Sequence, residues 1–485
     1  MKSIRTLLIA PPYYSLRNLK PGPIYSLGLL YLAGYLRKYG FESRVIISDI
    51  LTNVKPKIFI SMRSYAKGWE NYRRYVQHRE HPIWQKIETL IREYEPSIVG
   101  ISTNSPTIDS AYKVASIAKK VDKNIFVLIG GFHGTFCPED VLRNESVDFV
   151  IRGEGEIPIL GFVKEMGNGT RRWEEVPSLS YRKNSTFRHN ELCERIHNLD
   201  DIPFPARDLV VTPPNTKQMD HAMLTMRGCP YGCAFCADKR FWGEIRARST
   251  KNIVDEMEGI LKQFPDTKKI YFNDGTLTFN KRLVEEMCEE ILKRKIKAKL
   301  FCTARFDNID EKILAHLKSA GFQALYLGAE SGDHEILKSM NKRITLDQID
   351  KSIRLIRKAG IQSLVSILVG VPGENETTLT NTIQMMKKIP ADAFDVNCFV
   401  PLPGTEWYDK IPEEVRQKVD WLDVGYKSGR PFLFQAEGKE NLFPYIDRIN
   451  EIADQRLRKT IAKTILNKLI PFLRRGQNSS IAKGA

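Results

Sequence analysis

Two runs of short β-branched segments alternate with amphipathic stretches along this chain, and they narrow its fold more than any other feature. Such alternation is the sequence sign of parallel strands joined by crossover helices. In the first run Thr6 to Ala10, Val45 to Ser48, Ile98 to Ser102, Phe126 to Ile129 and Phe149 to Ile151 read as strands, with Leu27 to Tyr39 and Ala111 to Val121 as helices. Such a five-strand, doubly wound α/β pattern binds ligands beyond the carboxyl ends of its strands. Its site is therefore expected in the loops at Pro11, at Ser102, Thr103 and on to Ser105, at Gly130, Gly131 and His133, and at Gly153 to Glu156, Glu154 included. From Met166 to Pro214 the periodicity fades and Pro, Asn and Arg accumulate, as in a linker or a small β meander. The second run offers Leu224 to Met226, Lys269 to Phe272, Lys299 to Cys302, Ala324 to Leu327, Ser363 to Val369 and Ala393 to Val400. Six strands over about 180 residues suit a partial (β/α)6 barrel, smaller than the eight-unit closed form. The expected organisation is a Rossmann-like domain at 1–165 with an insertion at about 52–95, a linker at 166–215, the partial barrel at 216–408 and a helical C-terminal region at 409–485.

Composition excludes several classes. A chain of 485 residues supports about three domains. With 42% hydrophobic and 27% charged residues, wholesale disorder, collagen and polytopic membrane folds are poor fits. The net charge of +16 favours anionic partners without choosing among them. Eight cysteines are too few for a disulfide framework, and the N-terminal apolar run is too short to span a bilayer and has no small-residue cleavage site. A cytoplasmic protein is expected. In the insertion, Trp69, Tyr72, Arg73, Arg74, Tyr75 and Trp84 could stack on bases. Their helical spacing is the commoner sign of a helix pair packed on the sheet edge, so nucleic acid is not expected as a partner. Near the C-terminus Leu457, Ile461, Ile465, Leu469 and Ile470 form a stripe flanked by cations such as Arg456, Lys459 and Lys463. Such a helix can lie peripherally on anionic lipid or pack on the barrel, and Pro471 is expected to end or kink it.

The chemistry concentrates in Met226-Arg-Gly-Cys229-Pro-Tyr-Gly-Cys233-Ala-Phe235-Cys236, a CxxxCxxC loop after a strand. Three thiolates on one loop can face a common point. Structural zinc takes four protein ligands, and no Cys or His follows closely. A cubane iron–sulfur cluster held by three cysteines leaves one iron open to substrate, and soft thiolates suit it.

On these residues the segment from about Met223 to Trp407 resembles the radical S-adenosylmethionine (SAM) superfamily, whose CxxxCxΦC loop carries an aromatic at the position of Phe235 and opens a six-unit partial barrel. The resemblance implies a [4Fe-4S] cluster on Cys229, Cys233 and Cys236, with SAM chelated at the open iron and cleaved reductively to a 5′-deoxyadenosyl radical. It also implies cofactor contacts. Asn273-Asp274 stands where the family binds the SAM amino group, although the usual Gly-Gly-Glu is absent. Gly328-Ala-Glu330-Ser331 stands at the ribose motif, and Gly370 and Glu374 stand in the fifth-strand segment beside adenine. Arg305 is a further cofactor or substrate candidate, and Pro401-Leu-Pro-Gly404 looks like the sixth-strand ending of members that carry a cobalamin domain.

The first 165 residues are similar to that cobalamin-binding domain through Pro11-Pro12, the run Ser26 to Ala33, Gly130-Gly131-Phe-His133 and Arg152-Gly-Glu154-Gly-Glu156. None of the eight histidines has Asp two residues before it, so the Asp-x-His cobalt-ligand motif is missing. His133 is accordingly read as a hydrogen-bonding group rather than a cobalt ligand. The resemblance implies an enzyme like the class B radical SAM methyltransferases. It would methylate an unactivated carbon of a small-molecule or lipid-like substrate, with an electron donor such as flavodoxin or ferredoxin. Oxidative cyclisation or rearrangement, with or without cobalamin, is the alternative.

Overall fold

The computed structural model describes residues 4–19, 26–51, 62–77, 81–211, 220–422, 424–425 and 428–481, with side chains omitted at 62–66 and 463–481. The first sheet contains β1 (Arg5–Ala10), β2 (Glu42–Ile47), β3 (Ile98–Ser102), β4 (Phe126–Gly130), β5 (Phe149–Ile151), β6 (Leu179–Lys183) and β7 (Thr186–His189). Its order is β2-β1-β3-β4-β5-β6-β7; the first five strands are parallel and the last two antiparallel. Strand alternation produces two cores. Leu7, Ile9, Val99 and Val127 face one side, while Leu8, Val45, Ile98 and Leu128 face the other. Because β1 lies between β2 and β3, the chain reverses its winding there and leaves a crevice at the carboxyl ends of the strands.

Residues 166–215, expected as a linker or meander, contain the β6–β7 hairpin, which extends the first sheet instead of merely joining two units. In the insertion, the helices Met62–Gln77 and Pro82–Tyr94 bury Trp69, Tyr72 and Trp84 in the core on one face of that sheet. Arg73 and Arg74 point to solvent. Trp69, Tyr72 and Trp84 are therefore packing residues, while Tyr75 is half-buried with the Arg74 guanidinium 4.7 Å from its ring centroid.

The second run forms a six-stranded, all-parallel sheet in the order β15-β14-β13-β12-β11-β8, from β8 (His221–Met223), β11 (Lys269–Phe272), β12 (Lys299–Ala304), β13 (Phe322–Glu330), β14 (Gln362–Val369) and β15 (Ala393–Cys398). Apolar positions such as Ile270, Leu300, Leu325, Val365 and Val396 pack outward on the surrounding helices. Tyr271, Thr303, Tyr326 and Asn397 alternate with them and stay half-buried. Between β8 and β11 lies a small ribbon of β9 (Met226–Arg227) and β10 (Arg246–Ala247). The first barrel strand lies three residues earlier than the expected Leu224 to Met226. The backbone N–H groups of Thr225 and Met226 donate to Asp274 Oδ1, both at 2.8 Å, and so leave the ladder.

A helix at Phe443–Ile481 packs on the barrel through Ile446, Ile449, Ile452 and Ala453. It continues through Pro471, where the sequence suggested a stop. The stripe positions beyond Ile461 lie outside the described side chains. Among the described residues no helix is long and apolar enough to cross a membrane.

Candidate active site between the two sheets

A cavity of about 400 Å³ is lined from both halves of the molecule. The first sheet contributes Leu8 and the strand-end residues Ser102, Gly130, Gly131, Gly153 and Glu154; the barrel contributes Met226, Arg227, Gly228, Asp238, Asn273 and Gly275. A Cβ built on Gly28 or Gly153 would meet nothing within 4 Å, and one on Gly130 would meet nothing nearer than 3.5 Å. At these positions the missing side chain is open room on the cavity wall. Gly131 differs: its φ is +95°, and a Cβ there would lie 2.4 Å from the Thr103 carbonyl oxygen. The remaining wall is largely apolar, and the rings of Phe132 and Phe241 stack across the two halves with centroids 4.2 Å apart. A glycine-lined, mostly apolar concavity at a winding reversal fits a large planar cofactor such as a corrin.

Charged groups tie the halves together. The Glu154 carboxylate accepts hydrogen bonds from both Arg227 and Arg246, which are paired across the β9–β10 ribbon. Arg227 Nη2 also donates to Glu156 at 2.5 Å. Both arginines are more than nine-tenths buried. Removing one partner would leave a buried charge uncompensated, at a cost of about 3–5 kcal/mol. Glu154, expected at a cofactor, lines the cavity but is committed to these arginines. Arg227 and Arg246 escaped the sequence reading because arginines near a metal loop look like ordinary surface charge. The only hint was the acidic pair in Arg152-Gly-Glu154-Gly-Glu156.

The cysteine loop follows β9 directly. Cys229 and Cys233 are half-buried and Cys236 is exposed. Burial pushes the Cys229 thiol up, so metal binding there must displace a proton. Among the described residues no three His, Cys, Asp or Glu side chains converge as a single ion would require. A cubane asks for something else, because its three thiolates are spread over three irons. The donor set fits it: three thiols occupy one loop, with the Arg305 guanidinium 3.8 Å from Cys233 Sγ. Arg305 is held by Asp307 through two bonds of 3.0 and 3.1 Å and lies over the Tyr231 ring at 3.6 Å. It is therefore a fixed positive group beside the sulfur.

The other expected contacts take up positions that sequence could not specify. Asp274 is buried, and its Oδ1 holds Thr225 and Met226 at the root of the loop, with a further bond from Thr225 Oγ1 at 3.0 Å. Its Oδ2 is buried without a hydrogen-bond partner among the described residues, and burial raises the pKa of Asp274 to about 6. The neighbouring Asn273 is the member of the pair that lines the cavity. Glu330, with φ +67° at an irregularity in the β13–β14 register, accepts from Lys342 Nζ at 2.8 Å and from Ser366 Oγ at 3.2 Å. A ribose would have to share that carboxylate with the lysine. Ser331 is buried and bonded to Asp333 N and Thr382. Glu374 turns back on its own loop, accepting from the N–H of Gly370 at 2.6 Å and of Val371 at 3.2 Å, while burial raises its pKa to about 8. A Cβ on Gly370 would run into Pro431 at 2.1 Å, so a C-terminal segment covers the face expected to meet adenine. Phe235 packs 6.2 Å from Trp407.

In the first domain, Thr103 and His133 are buried and lie outside the cavity lining. His133 Nδ1 is 2.8 Å from Ser105 Oγ, and Nε2 is 3.6 Å from the Asp140 carboxylate. Nδ1 thus has a side-chain hydrogen-bond partner, while Nε2 faces the carboxylate beyond hydrogen-bond distance. Gly404 of the sixth-strand ending packs against Phe136, whose ring a Cβ there would meet at 2.5 Å. That motif thus serves the contact between the halves.

Comparison with known proteins agrees with this architecture. Residues 223–386 match the family model of the radical SAM superfamily, and residues 20–163 match that of the B12 binding domain. The chain is 30% identical over 429 residues to an uncharacterized methyltransferase, PH0819, of Pyrococcus horikoshii, covering 87% of this chain and 86% of that one. It is 28% identical over 422 residues to the anaerobic magnesium-protoporphyrin IX monomethyl ester cyclase of Rubrivivax gelatinosus, covering 85% and 71%. The fold is shared with the radical SAM methyltransferase TsrM of Kitasatospora setae, solved with cobalamin and a [4Fe-4S] cluster, at a TM-score of 0.65 and 17% identity over 85% of this chain and 75% of that one. With the glycine-lined cavity, the cysteine loop and these matches in agreement, the chain belongs to the radical SAM superfamily, in the branch whose barrel follows a B12-binding domain, and its cofactors are a [4Fe-4S] cluster, SAM and cobalamin.

Proposed function

We propose that the protein transfers a methyl group to an unactivated carbon of a small-molecule substrate. The observation that carries this reading is the single cavity to which both the strand ends of the first sheet and the root of the cysteine loop contribute. When bound, the cluster with SAM supplies a hydrogen-abstracting radical and cobalamin supplies the methyl group, a pairing suited to a carbon that is not nucleophilic toward SAM. In this reading Cys229, Cys233 and Cys236 hold the cluster, Asp274 keeps the root of their loop in place, and Ser102, Gly130 and Gly153 make room for the corrin. The Glu154–Arg227–Arg246 cluster holds the two halves in register, while Phe132 and Phe241 keep water from the space between them. A flavodoxin or ferredoxin is the fitting reductant, since a chain of net charge +16 attracts acidic carriers. The basic C-terminal helix favours peripheral contact with a membrane from the cytoplasmic side and adds lipid-like molecules to the substrate classes.

A second reading, oxidative cyclisation without methyl transfer, draws support from the similarity to the protoporphyrin ester cyclase. Anaerobic incubation of reconstituted protein with SAM, an excess of low-potential reductant and hydroxocobalamin, which the reductant converts to cob(I)alamin, separates the two. S-adenosylhomocysteine together with 5′-deoxyadenosine is the methyltransferase outcome. 5′-Deoxyadenosine alone favours the cyclase, and neither product removes both.

A further inference from the structure

At the opposite end of the barrel from the cysteine loop lies a second cavity, of about 420 Å³, between the loop leading into β15 and the long C-terminal helix. Five cationic side chains surround it, Arg357, Lys387, Arg448, Arg456 and Lys459, against one acid, Asp392. That acid is already engaged: its Oδ2 accepts from Ser363 N at 2.9 Å and from Ser363 Oγ at 3.2 Å. Arg448 pairs with Glu451 at 2.9 Å. Among the described residues, Arg357, Lys387 and Lys459 make no ion pair. Arg456 is half-buried and donates to two neutral carbonyls, Ala391 O at 3.1 Å and Met386 O at 3.3 Å, so that Asp392 is the one acid of the cavity lining that offsets its charge, and it does so without a direct bond. Its pKa is lowered by burial first; Asp392 opposes that shift and Arg357 adds to it.

Helix-end electrostatics explains only part of this arrangement. Arg357 and Lys387 lie in the last turns of Leu346–Lys358 and Glu376–Lys388, where a cation is favourable. Arg456 and Lys459 come from the interior of the C-terminal helix and Arg448 from its second turn, none of them near the C-terminal end where a cation is favoured. With Ile452 and Gln455 they recur at intervals of three and four residues, so one helical face is turned to the cavity. Like charges gathered round one concavity repel unless an anion offsets them. Guanidinium and ammonium donors converging from three helices match the several acceptor oxygens of a phosphate.

We infer that this cavity at the base of the barrel is a binding site for a phosphate group, borne by a small phosphorylated molecule or by a lipid headgroup. The site is separate from the cofactor cavity and does not depend on methyl transfer being the reaction.

The test uses the full chain with its cluster reconstituted. Calorimetry measures binding of glycerol 3-phosphate, and flotation measures binding to vesicles of phosphatidylcholine alone or of phosphatidylcholine with phosphatidic acid. The variant is Arg357→Glu combined with Lys459→Glu, both exposed, with Lys387→Glu as the substitute should the pair fail to fold. The expected result is that the wild type binds at least one phosphate-bearing probe and the variant binds it about tenfold or more weakly, with cluster absorbance and SAM cleavage unchanged. Binding of glycerol 3-phosphate assigns the site to a small phosphorylated molecule; binding of the acidic vesicles alone assigns it to a lipid headgroup. Absence of binding to either probe overturns the inference. So does binding that persists in the variant, as it would if other basic residues of the long helix carried it.

Discussion

The two walls of the central cavity are built on opposite principles. The wall from the first sheet works by leaving atoms out: Gly28, Gly130 and Gly153 border open space. The barrel works by putting particular atoms in behind its share of the lining, namely three thiols, an arginine fixed 3.8 Å from one of them and a carboxylate that pins the loop's root. A large planar cofactor needs room and apolar contact, which many sequences can provide. A cluster needs donors of one chemical kind at set places. Substitutions in the two walls should therefore fail differently, the first through filled space and the second through lost bonds.

The sharpest contrast comes from Cys233→Ala, which should abolish the brown cluster absorbance and 5′-deoxyadenosine formation together while corrin binding survives. Loss of corrin along with the cluster would mean that the two walls are not independent. Next in size is Arg227→Met, which strands Glu156 and leaves Glu154 with Arg246 alone. A loss of about 3–5 kcal/mol is expected in denaturant unfolding, and Arg227→Lys should recover only part of it, because an ammonium lacks the fork that spans two carboxylates.

The glycine wall is probed by Gly28→Leu. The position is exposed in the helix Leu27–Lys38 and a Cβ there meets nothing, so stability should hold or rise by about 0.4–1 kcal/mol as a helical glycine is replaced. Corrin content after anaerobic purification should nevertheless fall about tenfold, with iron content unchanged. Retained corrin would show that the wall tolerates a side chain and that its openness is incidental.

The last contrast is one of pH dependence and concerns Glu374. Burial raises its folded pKa from the ordinary 4.5 to about 8, so between those values the folded protein holds a proton that the unfolded chain has released. Stability should be highest below that window and fall across it by up to about 1.4 kcal/mol per pH unit, levelling off above pH 8. Glu374→Gln should flatten this slope in thermal unfolding followed from pH 5 to about 9.

Much of the fold could be read from the chain because strand alternation and helical spacing are local. Ile98–Ser102, Phe149–Ile151 and Lys269–Phe272 fall at the residues their patterns mark. The first barrel strand was misplaced because the competitor for its backbone donors, Asp274, is 49 positions from Thr225. The β6–β7 hairpin was legible only as a loss of periodicity, since its outer strand is mostly exposed and carries little hydrophobic pattern.

The sequence by itself placed three cysteines on one loop and, through the resemblance that loop carries, implied the cluster and SAM; it also determined the order of sheet and barrel, since both arise from short-range periodicity. Only the tertiary structure decided which acids stay available to a cofactor and which are consumed by the protein. Glu154 is claimed by Arg227 and Arg246, Glu330 by Lys342, and Glu374 by the N–H groups of Gly370 and Val371. A buried carboxylate must find a partner, and for Glu154 that partner lies more than 70 residues away, where no local pattern reports it.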